Sequence, residues 1–143
     1  MAIAQMNWGR LRHALDHPNM AEFNAALDVV YGMAETHRGF IWRIPDARAE
    51  EQLAALGYDN RMSATVSVWE TVEDLRAFTY KSDHAAYLAQ KAKWFAPPAP
   101  PQLVLWDVPR DSQPSFAEAF RRLEMLKRNG PTADAYGWPD RTA

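Results

Sequence analysis

The chain contains no cysteine. That excludes disulfides, thiolate metal sites and a cysteine nucleophile, and it fits a reducing cytoplasm. No apolar run approaches the roughly 20 residues that a membrane-spanning helix needs. The start, "MAIAQMNWGRLRHALDHP", lacks the charged lead, apolar run and small-residue cleavage site of a secretory signal. The expectation is a cytoplasmic protein with no membrane partner. Neither sign of charge dominates: the formal net charge is -2 over 143 residues, which gives no electrostatic reason to expect nucleic acid. The basic stretch "RRLEMLKRNG" reads as the solvated side of a helix. No G-x-S-x-G elbow, phosphate loop or H-E-x-x-H occurs. Ser63 and Ser67 have no base nearby in sequence, so nucleophilic catalysis is not indicated.

What is present is a globular composition, 48% hydrophobic and 24% charged, which a disordered chain would not have. Six Trp, five Tyr and six Phe are a high aromatic load for this length. Such rings fill a small core with large side chains, and they also line pockets for flat or apolar ligands.

Periodicity divides the chain into elements. Residues 2–8 alternate, with Ala2, Ala4, Met6 and Trp8 on one face and Ile3, Gln5 and Asn7 on the other, as in a strand. Asn19 followed by Glu22 resembles a capping box, and Phe23, Leu27, Val30 and Ala34 predict an amphipathic helix over 20–37, stopped by Gly39. "GFIWRI", 39–44, is a second strand. Strict alternation there puts Arg43 opposite Phe40 and Trp42. Residues 45–61 read as a long polar loop with at most one helical turn in "AEEQLAAL". The cleanest alternation is "MSATVSVWE", 62–70: Met62, Ala64, Val66 and Val68 face one way, and Ser63, Thr65, Ser67 and Trp69 the other. Thr71 with Asp74 opens a helix through Leu75 and Phe78, and Ser82 restarts it to about residue 94. "APPAPP" is a stiff connector into the strand 102–109. Ser115 and Glu118 then cap a last helix that ends at Asn129-Gly130-Pro131.

Strand, helix, strand, strand, helix, strand, plus an extra helix, is an α+β, ferredoxin-like βαββαβ series with a four-stranded antiparallel sheet. One domain over 1–130 is expected, with residues 131–143 as a loosely held C-terminal tail. Small and β-branched Ala64, Val66 and Val68 suggest the face that meets the helices. The other face mixes Gln5, Asn7, Ser63, Thr65 and Ser67 with Trp69. A second copy laying its sheet on that face would enclose a small-molecule cavity.

"VWETVEDLRAFTYKSDH" with "KAKWF", "PQLVLWDVP" and "RRLEMLKRNGPT" resembles a bacterial domain-of-unknown-function family, number 3291, of the dimeric α/β-barrel superfamily. "IAQMNWGRLRHALDHPNMAEF" and "GFIWRI" extend the likeness over almost the whole chain. The resemblance implies a homodimer and a kinship with antibiotic-biosynthesis and haem-degrading monooxygenases. It also implies a cavity between sheet and helices. It implies that His84, on the second helix, stands near the cavity as a proton acceptor or, in a haem-binding relative, as an axial ligand. Asn7 and Trp69 correspond to an Asn and a Trp at the cavity of the haem oxygenases.

The residues and the resemblance together give the expected site. His84 is the base, Tyr80 and Asn7 or Ser67 position a substrate anion, and Trp69, Trp42, Trp94, Phe95, Thr65 and Gln5 line the ligand. Arg43 would hold a carboxylate or phenolate, if it reaches the cavity. His13 and His17 have ligand spacing, but Pro18 opposes a helix there, and no metal is expected. His37 suits a helix C-terminus. The expected function is cofactor-independent oxygenation of a planar aromatic or polyketide-type molecule. A haem protein and a non-catalytic small-ligand-binding module are the alternatives.

Overall fold

The computed structural model describes residues 1–81, 90–97 and 99–139. His84, Tyr87 and the rest of the segment 82–89 lie outside the described residues. Among those described, β1 (Ala2–Arg10) is followed by a 3-10 turn (Pro18–Met20), α1 (Ala21–Thr36), β2 (Phe40–Arg43), α2 (Asp46–Ala55) and β3 (Met62–Trp69). Then come α3 (Val72–Lys81), α4 (Lys91–Trp94), β4 (Leu103–Val108) and α5 (Phe116–Asn129). The strands form one sheet in the order β2-β3-β1-β4, every pairing antiparallel. This is the α+β arrangement that the order of elements predicts, and it is compatible with a ferredoxin-like fold.

The helix starts show where short-range chemistry decides and where it does not. Ser115 Oγ accepts the Glu118 N–H at 3.1 Å, and Thr71 Oγ1 accepts that of Asp74 at 3.0 Å, as their spacing predicts. Asn19 does not cap α1. Pro18 opens a 3-10 turn one residue earlier, so Asn19 lies inside that turn. Its N–H is taken by His17 Nδ1 at 3.0 Å, and Met20 stands at the N-cap without a side-chain hydrogen bond. Residues 46–55, predicted as loop, are the full helix α2. Its half-buried Ala49 and Leu53 pack on the core, and its Gln52 Oε1 accepts the first N–H of α5, from Phe116, at 2.8 Å.

Both faces of the sheet are covered by this same chain, and the assignment of faces differs from the expectation. Ala2, Ala4, Met6, Val66, Val68, Val104 and Trp106 lie at 5% exposure or less in one cluster with Phe116, Ala119 and Leu123 of α5. The apolar face is therefore sealed by the C-terminal helix, flanked by α2. The mixed face is covered by α1 and α3, the two crossover helices. β1 and β2 both run antiparallel to β3. They are therefore parallel to each other, and the handedness of such crossovers sends α1 to one side whatever the strand composition. Small and β-branched residues pack equally well under any helix, so Val66 and Val68 could not tell α5 from α1. Among the described residues, α1 and α3 lie over the mixed face, so the space above it is lined by this one chain.

The segment after α5 is also part of the fold. Ala135 is fully buried, and Tyr136 pairs with Leu105 of β4 through hydrogen bonds of 2.7 and 2.9 Å. The Tyr136 hydroxyl donates to Asp107 at 2.6 Å. Tyr136 thus bridges to the edge strand β4. Among the described residues no helix is long and apolar enough to cross a membrane.

One surface pair gives a pH prediction. Arg10 donates two hydrogen bonds to the Asp59 carboxylate, at 2.7 and 3.2 Å, and with the Arg61 N–H they hold that carboxyl at about 2, below its ordinary 3.8. A lowered pKa stabilises the fold above pH 3.8, and the contribution is lost as pH falls through about 2. Asp59→Asn should therefore flatten the urea midpoint across that interval. The change should be small and salt-sensitive, because the pair is solvated.

Candidate functional site

The register of β1 and β3 builds the site's floor. Gln5 stands directly across from Ser67, and Asn7 from Thr65, with both pairs on the face under α1 and α3. Side chains so placed are within hydrogen-bonding reach, and they form one network. Asn7 Nδ2 donates to Gln5 Oε1 and to Thr65 Oγ1, both at 2.9 Å. Gln5 Nε2 donates to Ser67 Oγ at 2.8 Å and to Thr65 Oγ1 at 3.3 Å. Trp69 Nε1 also donates to Ser67 Oγ, at 2.9 Å. Gln5 and Ser67 are buried, and this network is what makes their burial tolerable.

Above the floor lies a cavity of about 380 Å³, within the usual size of a small-molecule site. Leu27, Val30 and Tyr31 of α1 and Leu75, Phe78 and Tyr80 of α3 form opposite walls, closed by Trp94, Phe95 and Trp138. Trp69 is stacked on Phe78 at 5.3 Å, with Phe40 edge-on at 5.5 Å. Tyr80, half exposed at 51%, leans on Trp138 at 5.7 Å.

Charge is nearly absent. Among the described lining residues Arg43 alone is charged. It is committed to Glu35 at 3.3 Å and Asp46 at 2.9 Å, and lies 4.3 Å above the Tyr31 ring. Burial, with Asp46 nearby, pushes the Tyr31 phenol up to about 12. Tyr31 is thus neutral at ordinary pH and cannot serve as a base.

Of the expected site residues, Gln5, Asn7, Thr65, Ser67, Trp69, Tyr80, Trp94 and Phe95 all line this cavity. His84 lies outside the described residues. Trp42 is a correction: it packs with the apolar face, against the core under α5. The register shift between Phe40 and Trp42 explains it. A bulge adds one residue and re-aims the side chains after it, so Phe40 and Arg43 share the cavity face and Trp42 leaves it. Sequence periodicity missed Tyr31, Phe78 and Trp138. Tyr31 follows Leu27 by four positions and was findable at helical spacing. Trp138 was not, because it depends on a tail that folds back.

Among the described residues no three His, Cys, Asp or Glu side chains gather as a metal site. His13 and His17 stack at 4.4 Å, but the Nδ1 lone pair of His17 is taken by the Asn19 N–H.

Gly9 marks a tight point of the wall. A Cβ there would lie 2.5 Å from the Phe95 ring. Gly9→Ala should force that ring aside and cost about 1–3 kcal/mol in urea unfolding.

The model of a family described as "Domain of unknown function (DUF3291)" matches residues 2–143. No curated protein and no solved structure matches the chain.

Proposed function

We infer the function of this chain from its cavity, because the chain belongs to a family, DUF3291, whose name assigns it none. The chain takes up a small, largely planar organic molecule between α1, α3 and the β1–β3 floor. The observation that carries this reading is the cavity itself, about 380 Å³, walled by rings and floored by an uncharged polar network. Such a lining favours stacking and a few oriented hydrogen bonds over ionic capture. Titration with 2-naphthol, followed by tryptophan emission, should give saturable quenching. Leu27→Trp, which fills the space from α1, should abolish the quenching while the far-ultraviolet circular dichroism is unchanged. No saturation up to the solubility limit would remove the reading.

We further propose the reaction that the resemblance implies, cofactor-independent oxygenation. A phenol plus O₂ gives a quinone plus water. One oxygen atom forms the new C–O bond and the other leaves as water, so no external reductant is needed. The described lining holds no group able to act as a base at neutral pH, so the base in this reading is His84. His84→Ala should abolish O₂ consumption and leave naphthol binding intact. If wild-type protein binds naphthol but consumes no O₂ with phenols or quinols, the binding-module reading stands in place of the oxygenase. The cavity is built within one chain, so a homodimer, which the resemblance also implies, would form through surfaces other than the sheet faces.

A further inference from the structure

We propose that the cavity floor selects its ligand by a hydrogen-bond acceptor, a neutral carbonyl-type oxygen that receives the hydroxyl protons of Ser67 and Thr65. The proposal rests on the cavity reading above and names the ligand class for it.

The inference comes from counting donors. An indole N–H can only donate, and a hydroxyl has two lone pairs and one proton. Ser67 Oγ accepts from Trp69 Nε1 at 2.9 Å and from Gln5 Nε2 at 2.8 Å, so both its lone pairs are engaged and its proton has to be given away. No acceptor receives it among the described residues. Thr65 Oγ1 accepts from Asn7 Nδ2 at 2.9 Å and, more weakly, from the second Gln5 Nε2 proton, which it shares at 3.3 Å with the Thr65 carbonyl at 3.4 Å. The two residues alternate on β3, so both hydroxyls stand on the cavity face. The amides of Asn7 and Gln5 and the indole of Trp69 thus convert two amphoteric hydroxyls into an array of donors. A buried donor without a partner is costly, and a ligand oxygen relieves that cost.

The electrostatics select among acceptor oxygens. Among the described lining residues a carboxylate would meet no free counter-charge, because Arg43 is held by Glu35 and Asp46, and burial of a lone anion is strongly disfavoured. The displaced titration of Tyr31 shows the same bias against negative charge on the opposite wall. The ligand class is therefore a planar aromatic ketone or quinone, or a molecule presenting that group to the floor.

Three naphthalenes of one shape test this: 2-acetylnaphthalene (acceptor), 2-ethylnaphthalene (neither donor nor acceptor) and 2-naphthoate (anion). The ketone should bind about ten-fold tighter than the hydrocarbon, and naphthoate weakest. The ketone's carbonyl stretch should move to lower wavenumber when bound. Ser67→Ala and Thr65→Val should each shrink the ketone's advantage over ethylnaphthalene several-fold. Thr65→Val carries the test if Ser67→Ala does not fold, since Thr65 is less buried. Equal binding of ketone and hydrocarbon, or tightest binding of naphthoate, overturns the donor-floor proposal alone. Failure of all three to bind overturns the cavity reading itself.

Discussion

Trp69→Ala is expected to lower the free energy of unfolding by about 4 kcal/mol, within the range for removing a fully buried large aromatic side chain. Trp69 is 1% exposed. Its ring is stacked on Phe78, with Phe40 and His37 edge-on at 5.5 and 6.0 Å, so truncation strands three aromatic neighbours at once. Its N–H is a separate contribution. Trp69→Phe keeps most of the ring contact and loses the bond to Ser67, which should cost only about 1 kcal/mol. It also frees a lone pair on Ser67, so its hydroxyl no longer has to donate into the cavity, and the preference for acetylnaphthalene should fall. Urea unfolding of the two variants separates packing from the network. Equal losses for Ala and Phe would mean that the ring contacts contribute little.

Leu123→Asp should be the most damaging single change on the opposite face. Leu123 is 2% exposed in α5, packed in the cluster of Met6, Val66, Val68, Val104 and Trp106. Removing the leucine costs about 2–5 kcal/mol, and an unpaired carboxylate in that place adds several more. The sum approaches the whole stability of an ordinary domain, about 5–15 kcal/mol. The expected result is loss of cooperative unfolding at neutral pH, with self-association through the uncovered sheet face, seen by sedimentation. Glu124→Gln, one residue on and solvated, should stay within about 0.5 kcal/mol of wild type. A Leu123→Asp protein as stable as wild type would mean that α5 is not what seals this face.

The strands and their alternation were legible because Gln5, Asn7, Ser63, Thr65, Ser67 and Trp69 fall on one face by period two alone. The caps at Ser115 and Thr71 were legible because they depend on residues three apart. What failed depends on contacts distant in sequence. α2 is a polar, weakly periodic segment whose helix packs against the core beside α5, with Gln52 capping that helix. The choice of face for α1 is set by crossover handedness, and the loss of Trp42 from the site by a bulge in a four-residue strand. The network linking Gln5 to Ser67 and Asn7 to Thr65 needed the β1–β3 register, which neither strand reveals alone. His84, the residue on which the proposed chemistry depends, is outside the described residues, so its role rests on the resemblance and on the neutral lining that lacks another base.

The most direct test of the central claim is a crystal structure of the protein with 6-bromo-2-acetylnaphthalene, with the bromine located by its anomalous scattering. A single chain that builds its own cavity predicts one bromine peak per chain, between α1 and α3, with the acetyl oxygen within hydrogen-bond distance of Ser67 Oγ or Thr65 Oγ1. Bromine found only between chains, or a cavity filled by the protein's own side chains, would contradict it.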